Sequence, residues 1–254
     1  MSPIILIITI STFLTAILSG MFGMAGGLIL MTILLGFMPV AAAMSVHACI
    51  QLVSNAWRSF LWRRHIVWRV LPPYFAGMVA GFGIMLMVRF VPDKGVVFLA
   101  MGALPLLAMA GERYVTLYIT NKVHTFFTAT ILTFVQMTAG VVGPLLDLLY
   151  NNAPLTRKEI VGTKAFTQSA MHLTRLTYFG SLVPLVSGQA VWPDSIPGWA
   201  IPGFMVAAIA GTSVAGVILH RMSDHHFKKF TRILVTIVCL YCLGQGVRLT
   251  FFSL

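Results

Sequence analysis

The chain has 254 residues, of which 58% are hydrophobic and only 9% are charged. A soluble domain carries roughly 25% charged residues to cover its surface, so this composition excludes a soluble protein and predicts an integral membrane protein. The net charge of +11 does not indicate nucleic-acid binding, because the basic residues lie in short loops between apolar runs, where they set orientation. The lipid bilayer, not nucleic acid, is the predicted partner.

Apolar segments follow one another along the whole chain. Several reach the roughly 20 residues that a helix needs to span the hydrocarbon core, whereas others are too short. The segments are 3–20, 28–44, 45–62, 71–91, 95–111, 124–139, 144–150, 160–180, 198–219 and 230–252. This pattern predicts an all-α polytopic membrane protein, which we expect in the cell (inner) membrane.

Glycine clusters at 20–27 and 140–144 join two short segments to the segments before them. Such clusters break a helix, and a broken helix is tolerated within a membrane only where its freed backbone lines an enclosed cavity. A restarting helix exposes unpaired N–H groups and a positive dipole end. Gly26, Gly27 and Gly143 therefore predict a cradle for an anion. The alternative is that these glycines only allow close helix packing.

The two halves of the sequence resemble each other. The matched pairs are Gly23 with Gly140, Gln51 with Gln168 and Arg58 with Arg175 for a shift of 117 residues, and Gly81 with Gly211 for a shift of 130 residues after a longer loop. Apolar matches arise easily in membrane proteins, but a matched Gln and Arg inside apolar helices are less common. We predict one membrane domain made of two repeats, 1–118 and 119–254.

Equivalent loops of the two halves carry opposite charge bias. The loop at 62–70 is basic whereas its counterpart at 181–198 contains Asp194 and no Lys or Arg, and 220–232 is more basic than 89–95. Basic loops stay in the cytoplasm, so the halves are predicted to be inverted repeats. Each repeat is then a glycine-broken, re-entrant helix pair followed by three transmembrane helices. Whether segment 3–20 crosses the membrane fully is left open.

This arrangement places every strongly basic loop on the cytoplasmic side of the membrane. The loops are 62–70, 111–124, 151–159 and 220–232.

Two helices carry matched polar stripes at spacings of four, four and three residues. The stripes are His47, Gln51, Asn55 and Arg58 in the first half, and Lys164, Gln168, His172 and Arg175 in the second. Residues so spaced share one helical face. A charge at mid-membrane costs at least roughly 2.5–3.5 kcal/mol, so both faces should line a protein cavity. The alternative is hydrogen bonding between helices, with the arginines reaching the interface.

A cavity lined by cations, amides and helix N-termini suits a small oxyanion. We expect Lys164 and Arg175 to supply the charge, and the other residues of the stripes to donate hydrogen bonds. No HExxH, GxSxG or phosphate-loop motif occurs in the sequence, so we predict no enzyme, catalytic residue, metal site or cofactor. A membrane-embedded enzyme and a structural subunit are the alternatives that this pattern disfavours.

Three short motifs carry a resemblance to a known family. They are the run Ser19 to Gly27, the glycine–proline run at 140–144, and Val161 to Ala165 at the start of the following helix. With the duplicated organisation, they resemble the TauE/SafE family of sulfite or organosulfonate exporters over nearly the whole chain. The chain departs from the family pattern at Ala25, which replaces a third glycine, and at Lys164. The resemblance implies export of a small sulfur oxyanion or sulfonate.

We therefore expect a secondary transporter that works by alternating access around a site near the membrane midplane. The alternatives are an anion channel and a transporter of another small carboxylate or oxyanion. The sequence does not define the coupling ion, the direction of flux or the oligomeric state, and a homodimer is left open.

Overall fold

The computed structural model describes residues 2–22, 25–112, 114–150, 153–187, 196–219 and 224–252. Every regular element within these ranges is helical, so the predicted all-α class is confirmed. The helices are α1 (Pro3–Phe22), α2 (Ala25–Phe37), α3 (Val40–Leu61), α4 (Leu71–Val88), α5 (Lys94–Gly111), α6 (Lys122–Ala139), α7 (Gly143–Tyr150), α8 (Arg157–Thr177), α9 (Val183–Ser187), α10 (Ala200–Leu219) and α11 (Asp224–Phe251). Shorter helical turns lie at Arg63–His65, Trp68–Val70 and Tyr178–Leu182.

Six of these helices are long and apolar enough to cross a membrane: α1, α3, α4, α5, α10 and α11. Large apolar side chains such as Met87, Leu107 and Val206 are exposed on them, as expected where lipid is the solvent. The chain is therefore a multi-pass membrane protein. Helices α2 and α7 have 13 and 8 residues, which is shorter than the roughly 20 residues of a full span.

The antiparallel pair α3 and α8 occupies the centre of the protein. The span of α3 is 72% buried, against at most 39% for the other spans. Gly162, near the start of α8, lies against Trp62 just after α3. At the other end of the pair, Arg175 of α8 bonds to His47 of α3. The polar stripes predicted from the sequence therefore run along two helices that pack against each other, the first of which is the most buried span.

The first helix of each half packs against a later helix of the other half. Gly81 of α4 lies against the Thr130 carbonyl of α6, and Gly211 of α10 lies against the Phe13 carbonyl of α1. In each contact the backbones approach so closely that a Cβ on the glycine would overlap the carbonyl oxygen. The shift of 117 residues relates Phe13 to Thr130, and the shift of 130 residues relates Gly81 to Gly211.

Helices α5 and α11 form a second antiparallel pair. Gly95 near the start of α5 lies against Thr250 near the end of α11, and Gly246 lies against Leu99. At the other end of the pair, Glu112 and Arg232 form an ion pair of 3.1 Å between Oε2 and Nη2. This contact joins the segment after α5 to the first turns of α11.

The close contact at Gly211 generates a testable difference between two glycines of α10. Gly211→Ala should destabilise the protein by about 1–3 kcal/mol, because the new methyl group would overlap the α1 backbone, which cannot move aside like a flexible side chain. Gly216→Ala is the matched control. No atom lies within 4 Å of the position of its Cβ, so the better helix propensity of alanine should preserve or slightly raise stability. Thermal unfolding in detergent measures both, and an unchanged melting temperature for Gly211→Ala would contradict the contact.

Candidate functional site

A cavity lies where the two helix breaks meet the α3–α8 pair. Residues of both halves line it: Ser19, Gly27, His47, Gln51, Asn55, Gln136, Gly140, Val141, Val142, Gly143, Gln168, Met171 and His172. The wall is rich in hydrogen-bonding side chains, and no carboxylate belongs to it within the described ranges. Its chemistry therefore suits a polar solute that accepts hydrogen bonds.

Most of the site residues predicted from the sequence lie in this wall: Gly27, His47, Gln51, Asn55, Gly143, Gln168 and His172. The other predicted residues lie outside it: Gly26, Arg58, Lys164 and Arg175. The amide and imidazole groups of the two stripes therefore line the cavity. Their three charged groups, those of Arg58, Lys164 and Arg175, lie outside its wall.

The break between α6 and α7 contributes its backbone to the cavity. Gly140 ends α6 with a positive φ of 75°, a conformation that glycine adopts at little cost because it has no Cβ. Its N–H donates to the Gln136 carbonyl at 3.1 Å. Helix α7 then starts at Gly143, and the N–H groups of a first helical turn have no partner within the helix. The cavity therefore meets a restarting helix whose dipole is positive at this end.

The two glycines at the start of α2, Gly26 and Gly27, have different surroundings. A Cβ at Gly26 would overlap the Thr15 carbonyl and the Ser19 backbone, so Gly26 allows α2 to pack closely against α1. Gly27 instead lies in the cavity wall beside the Gln51 amide. The packing interpretation of the sequence therefore fits Gly26, and the cavity interpretation fits Gly27. Gly23, which the sequence also singled out, lies outside the described residues.

A fully buried arginine joins the two helix breaks. The Arg175 side chain has 0% exposure and donates to the Gly140 carbonyl and to Nδ1 of His47. Nε2 of His47 lies 2.9 Å from the Gly27 carbonyl. A guanidinium group only donates, so Nδ1 of His47 accepts and Nε2–H donates to Gly27. This hydrogen-bonded chain runs from one break to the other through α8 and α3.

A second histidine completes the polar wall on α8. Nδ1 of His172 lies 3.2 Å from the Gln136 amide nitrogen, which donates to it. The His172 and His47 rings meet edge to face, with centroids 5.9 Å apart. Because Nδ1 of both imidazoles accepts a hydrogen bond, each ring carries its proton on Nε2 and is neutral in this arrangement.

Lys164 lies next to an acidic residue that the sequence analysis did not connect with it. Its Nζ forms an ion pair with Oδ1 of Asp147 on α7, and the two side chains are 12% and 22% exposed. The sequence predicted that Lys164 contributes charge to an anion; in the structure its charge is already compensated by a carboxylate. Asp147 follows Gly143 by one helical turn, which is the signal that could have associated it with the break.

Arg58 is buried at 7% exposure on the same α3 face as Gln51 and Asn55, one turn beyond the cavity wall. Its Nε and Nη2 groups have no hydrogen-bond partner. Arg175, its counterpart in the shift of 117 residues, instead bonds to two residues of the wall. The two arginines that the sequence treats as equivalent therefore have different environments.

Two polar wall residues, Ser19 and Gln136, were missed by the sequence analysis. Each lies near the end of the helix that precedes a break, and the shift of 117 residues relates them. Applying the shift to every polar residue near the breaks would have found both. The remaining unpredicted wall residues are Gly140, Val141, Val142 and Met171. In the part of the chain that the structure describes, no group of His, Cys, Asp and Glu side chains could hold a metal ion.

Comparison with known proteins gives one informative match. Neither a curated protein nor a solved structure matches the chain. A family model described as "Sulfite exporter TauE/SafE" matches residues 8–242, which is most of the sequence and includes the cavity wall and both helix breaks. The chain therefore belongs to the TauE/SafE sulfite exporter family.

Proposed function

We propose that this protein is a secondary transporter that exports a small anion, sulfite or an organosulfonate, across the cell (inner) membrane. The family supports a membrane transporter of such anions. The observation that carries the proposal is Arg175, a buried cation bonded to two residues of a cavity whose wall contains no described carboxylate. A buried charge is strongly unfavourable unless it is paired, so a bound anion would stabilise this arrangement.

The cavity wall would hold the anion by hydrogen bonds. The amides of Gln51, Asn55 and Gln168 have N–H donors, and the N–H groups at the start of α7 add backbone donors. Hydrogen bonds to a charged acceptor are roughly twice as strong as those between neutral groups. Sulfite and sulfonates present several negative oxygens to such donors, whereas a cation would meet no described carboxylate in the wall.

Inverted repeats would allow the site to open to each side of the membrane in turn. The opposite directions of α3 and α8, and of α5 and α11, support an inverted arrangement, as do the equivalent contacts at Gly81 and Gly211. Contacts also connect the described parts of the basic loops: Val67 N–H donates to Thr163 at 2.9 Å, Ile119 bonds to Leu149 at 3.1 Å, and Arg232 pairs with Glu112. By the positive-inside rule these loops would face the cytoplasm.

Alternating access would then open and close the cavity from its two ends. The chain from Gly140 through Arg175 and His47 to Gly27 links both halves at one end of the cavity. Separation of α3 from α8 at that end would break the Arg175–His47 bond and expose the site.

The amide donors of the wall are the first targets for testing. Gln51→Leu and Gln168→Leu should each weaken sulfite binding by about 1.5–3 kcal/mol, because each removes a hydrogen bond to a charged ligand. Gln245→Leu is the matched control, because Gln245 lies on α11 outside the cavity wall. Binding is measured by titration calorimetry, and transport by counterflow of sulfite in liposomes. The wild type should show saturable counterflow; flux that neither saturates nor exchanges would instead favour the anion channel.

Variants of the Lys164–Asp147 ion pair test whether Lys164 only compensates the Asp147 carboxylate or also contacts the anion. Lys164→Ala should lower stability by about 3–5 kcal/mol and weaken anion binding, because it leaves the partly buried Asp147 carboxylate without its partner. The double variant Lys164→Gln/Asp147→Asn removes both charges and should recover most of both losses. Thermal unfolding and sulfite titration distinguish the outcomes. If the double variant folds but binds no better than Lys164→Ala, Lys164 contacts the anion directly.

The inverted arrangement predicts which side each loop faces. Single cysteines replacing Arg63 and Arg232 should react with a membrane-impermeant thiol reagent from one side of the membrane, and a cysteine replacing Val91 from the other. The native cysteines are buried and should give little background: Cys49, Cys239 and Cys242. Labelling of positions 63 and 232 from opposite sides would overturn the inverted repeats. Lys228, near the second position, has a side chain outside the described residues.

A further inference from the structure

We propose that the cavity selects a singly charged anion, because among the described residues Arg175 is the one cation that bonds to the wall without a carboxylate partner. This inference rests on the proposed function and names the charge of its substrate. Hydrogensulfite or a sulfonate would fit the site, whereas the sulfite dianion and sulfate would not.

The histidines of the wall add no charge. A proton on Nδ1 of His47 would point at the Arg175 guanidinium, which already donates to that nitrogen. Nε2–H of His47 is held by the Gly27 carbonyl at 2.9 Å. His172 accepts from Gln136 in the same way. The hydrogen bonds therefore hold both rings in the neutral form, and they contribute donors but no net charge.

Lys164 and Arg58, the other two cations of the polar stripes, make no side-chain hydrogen bond to the described wall residues. Lys164 is neutralised by Asp147. Arg58 neither belongs to the wall nor bonds to a residue of it. It follows Asn55, the wall residue nearest to it on α3, by three residues, which is roughly 4.5 Å along the helix axis toward the loop at 62–70. Arg175 differs from both, because its two hydrogen bonds end on wall residues and no described carboxylate bonds to it.

The number of charges decides which solute the cavity favours. A single negative charge compensates Arg175 and leaves the site neutral. A second negative charge would meet hydrogen-bond donors but no second cation among the described wall residues, and in a low-dielectric interior the penalty for an ion without a counter-charge is large. A neutral solute would leave Arg175 uncompensated. Binding should therefore be tightest for a solute that carries one negative charge.

Three compounds of similar tetrahedral shape test this inference on purified wild-type protein. Dimethyl sulfone is neutral, methanesulfonate carries one negative charge and sulfate carries two. We expect methanesulfonate to bind at least roughly 100-fold more tightly than sulfate, and more tightly than dimethyl sulfone, by titration calorimetry in detergent. Sulfate binding as tight as methanesulfonate binding would overturn the charge inference while leaving the proposed anion site intact. If none of the compounds binds, the proposed site itself fails.

Variants of the two arginines then assign the charge. Arg175→Gln should lose methanesulfonate binding by at least roughly 100-fold while dimethyl sulfone binding changes little, which also shows that the variant is folded. Arg175→Lys keeps the charge and should retain a preference for methanesulfonate over sulfate. A preference for methanesulfonate that survives Arg175→Gln would overturn the role of Arg175. If Arg58→Gln shifts the preference as strongly as Arg175→Gln, the cavity senses both charges and the single-charge inference is wrong.

Discussion

The buried charge of Arg175 is the constraint on which the central structure depends. A guanidinium within a membrane protein must have its donors satisfied, because neither lipid nor an apolar core can accept them. The Gly140 carbonyl and His47 meet part of that need. Each acceptor depends on its own local structure: Gly140 on a backbone conformation suited to glycine, and His47 on the Gly27 carbonyl that orients its ring. One cation thus couples both helix breaks to both central helices.

The outer parts of the protein follow simpler rules. The lipid-facing helices are apolar on their exposed surfaces, and close packing between them relies on glycines such as Gly81 and Gly211, which bring one backbone against another. Hydrophobic burial drives little association between helices already in lipid, so close van der Waals packing becomes the main stabilising term. The equivalent positions of these contacts in the two halves are what a duplicated chain would produce.

The sequence predicts the helices, and the polar helical faces that line the cavity, because both rest on local periodicity. The spacing of His47, Gln51 and Asn55 identifies one helical face, and that face lines the cavity. Contacts between distant segments are not local and are harder to predict. The pairing of Lys164 with Asp147 depends on how α7 packs against α8, and no spacing rule gives that distance.

The different environments of Arg58 and Arg175 show a second limit of sequence reasoning. The shift of 117 residues makes the two residues equivalent in the sequence, but a single conformation of the folded chain need not give them the same environment. Arg175 donates to two acceptors and only its Nε has none, whereas both Nε and Nη2 of Arg58 have none. Ser19 and Gln136, in contrast, keep equivalent places in the cavity wall. Residues related by the shift of 117 therefore keep equivalent positions in the fold more reliably than they keep equivalent hydrogen bonds.

The packing of α1 on α10 has a consequence for biosynthesis. Helix α6 contacts α4, which precedes it closely in the chain, so that pair can assemble soon after both have entered the bilayer. Helix α1 spans Pro3–Phe22 but its partner α10 spans Ala200–Leu219, and a ribosome makes α10 only after most of the protein has been translated. The first helix can pack against α2 early, but it must wait in lipid for α10. Its strongly apolar sequence suits that delay, and closure of the fold is expected to be a late step of membrane insertion.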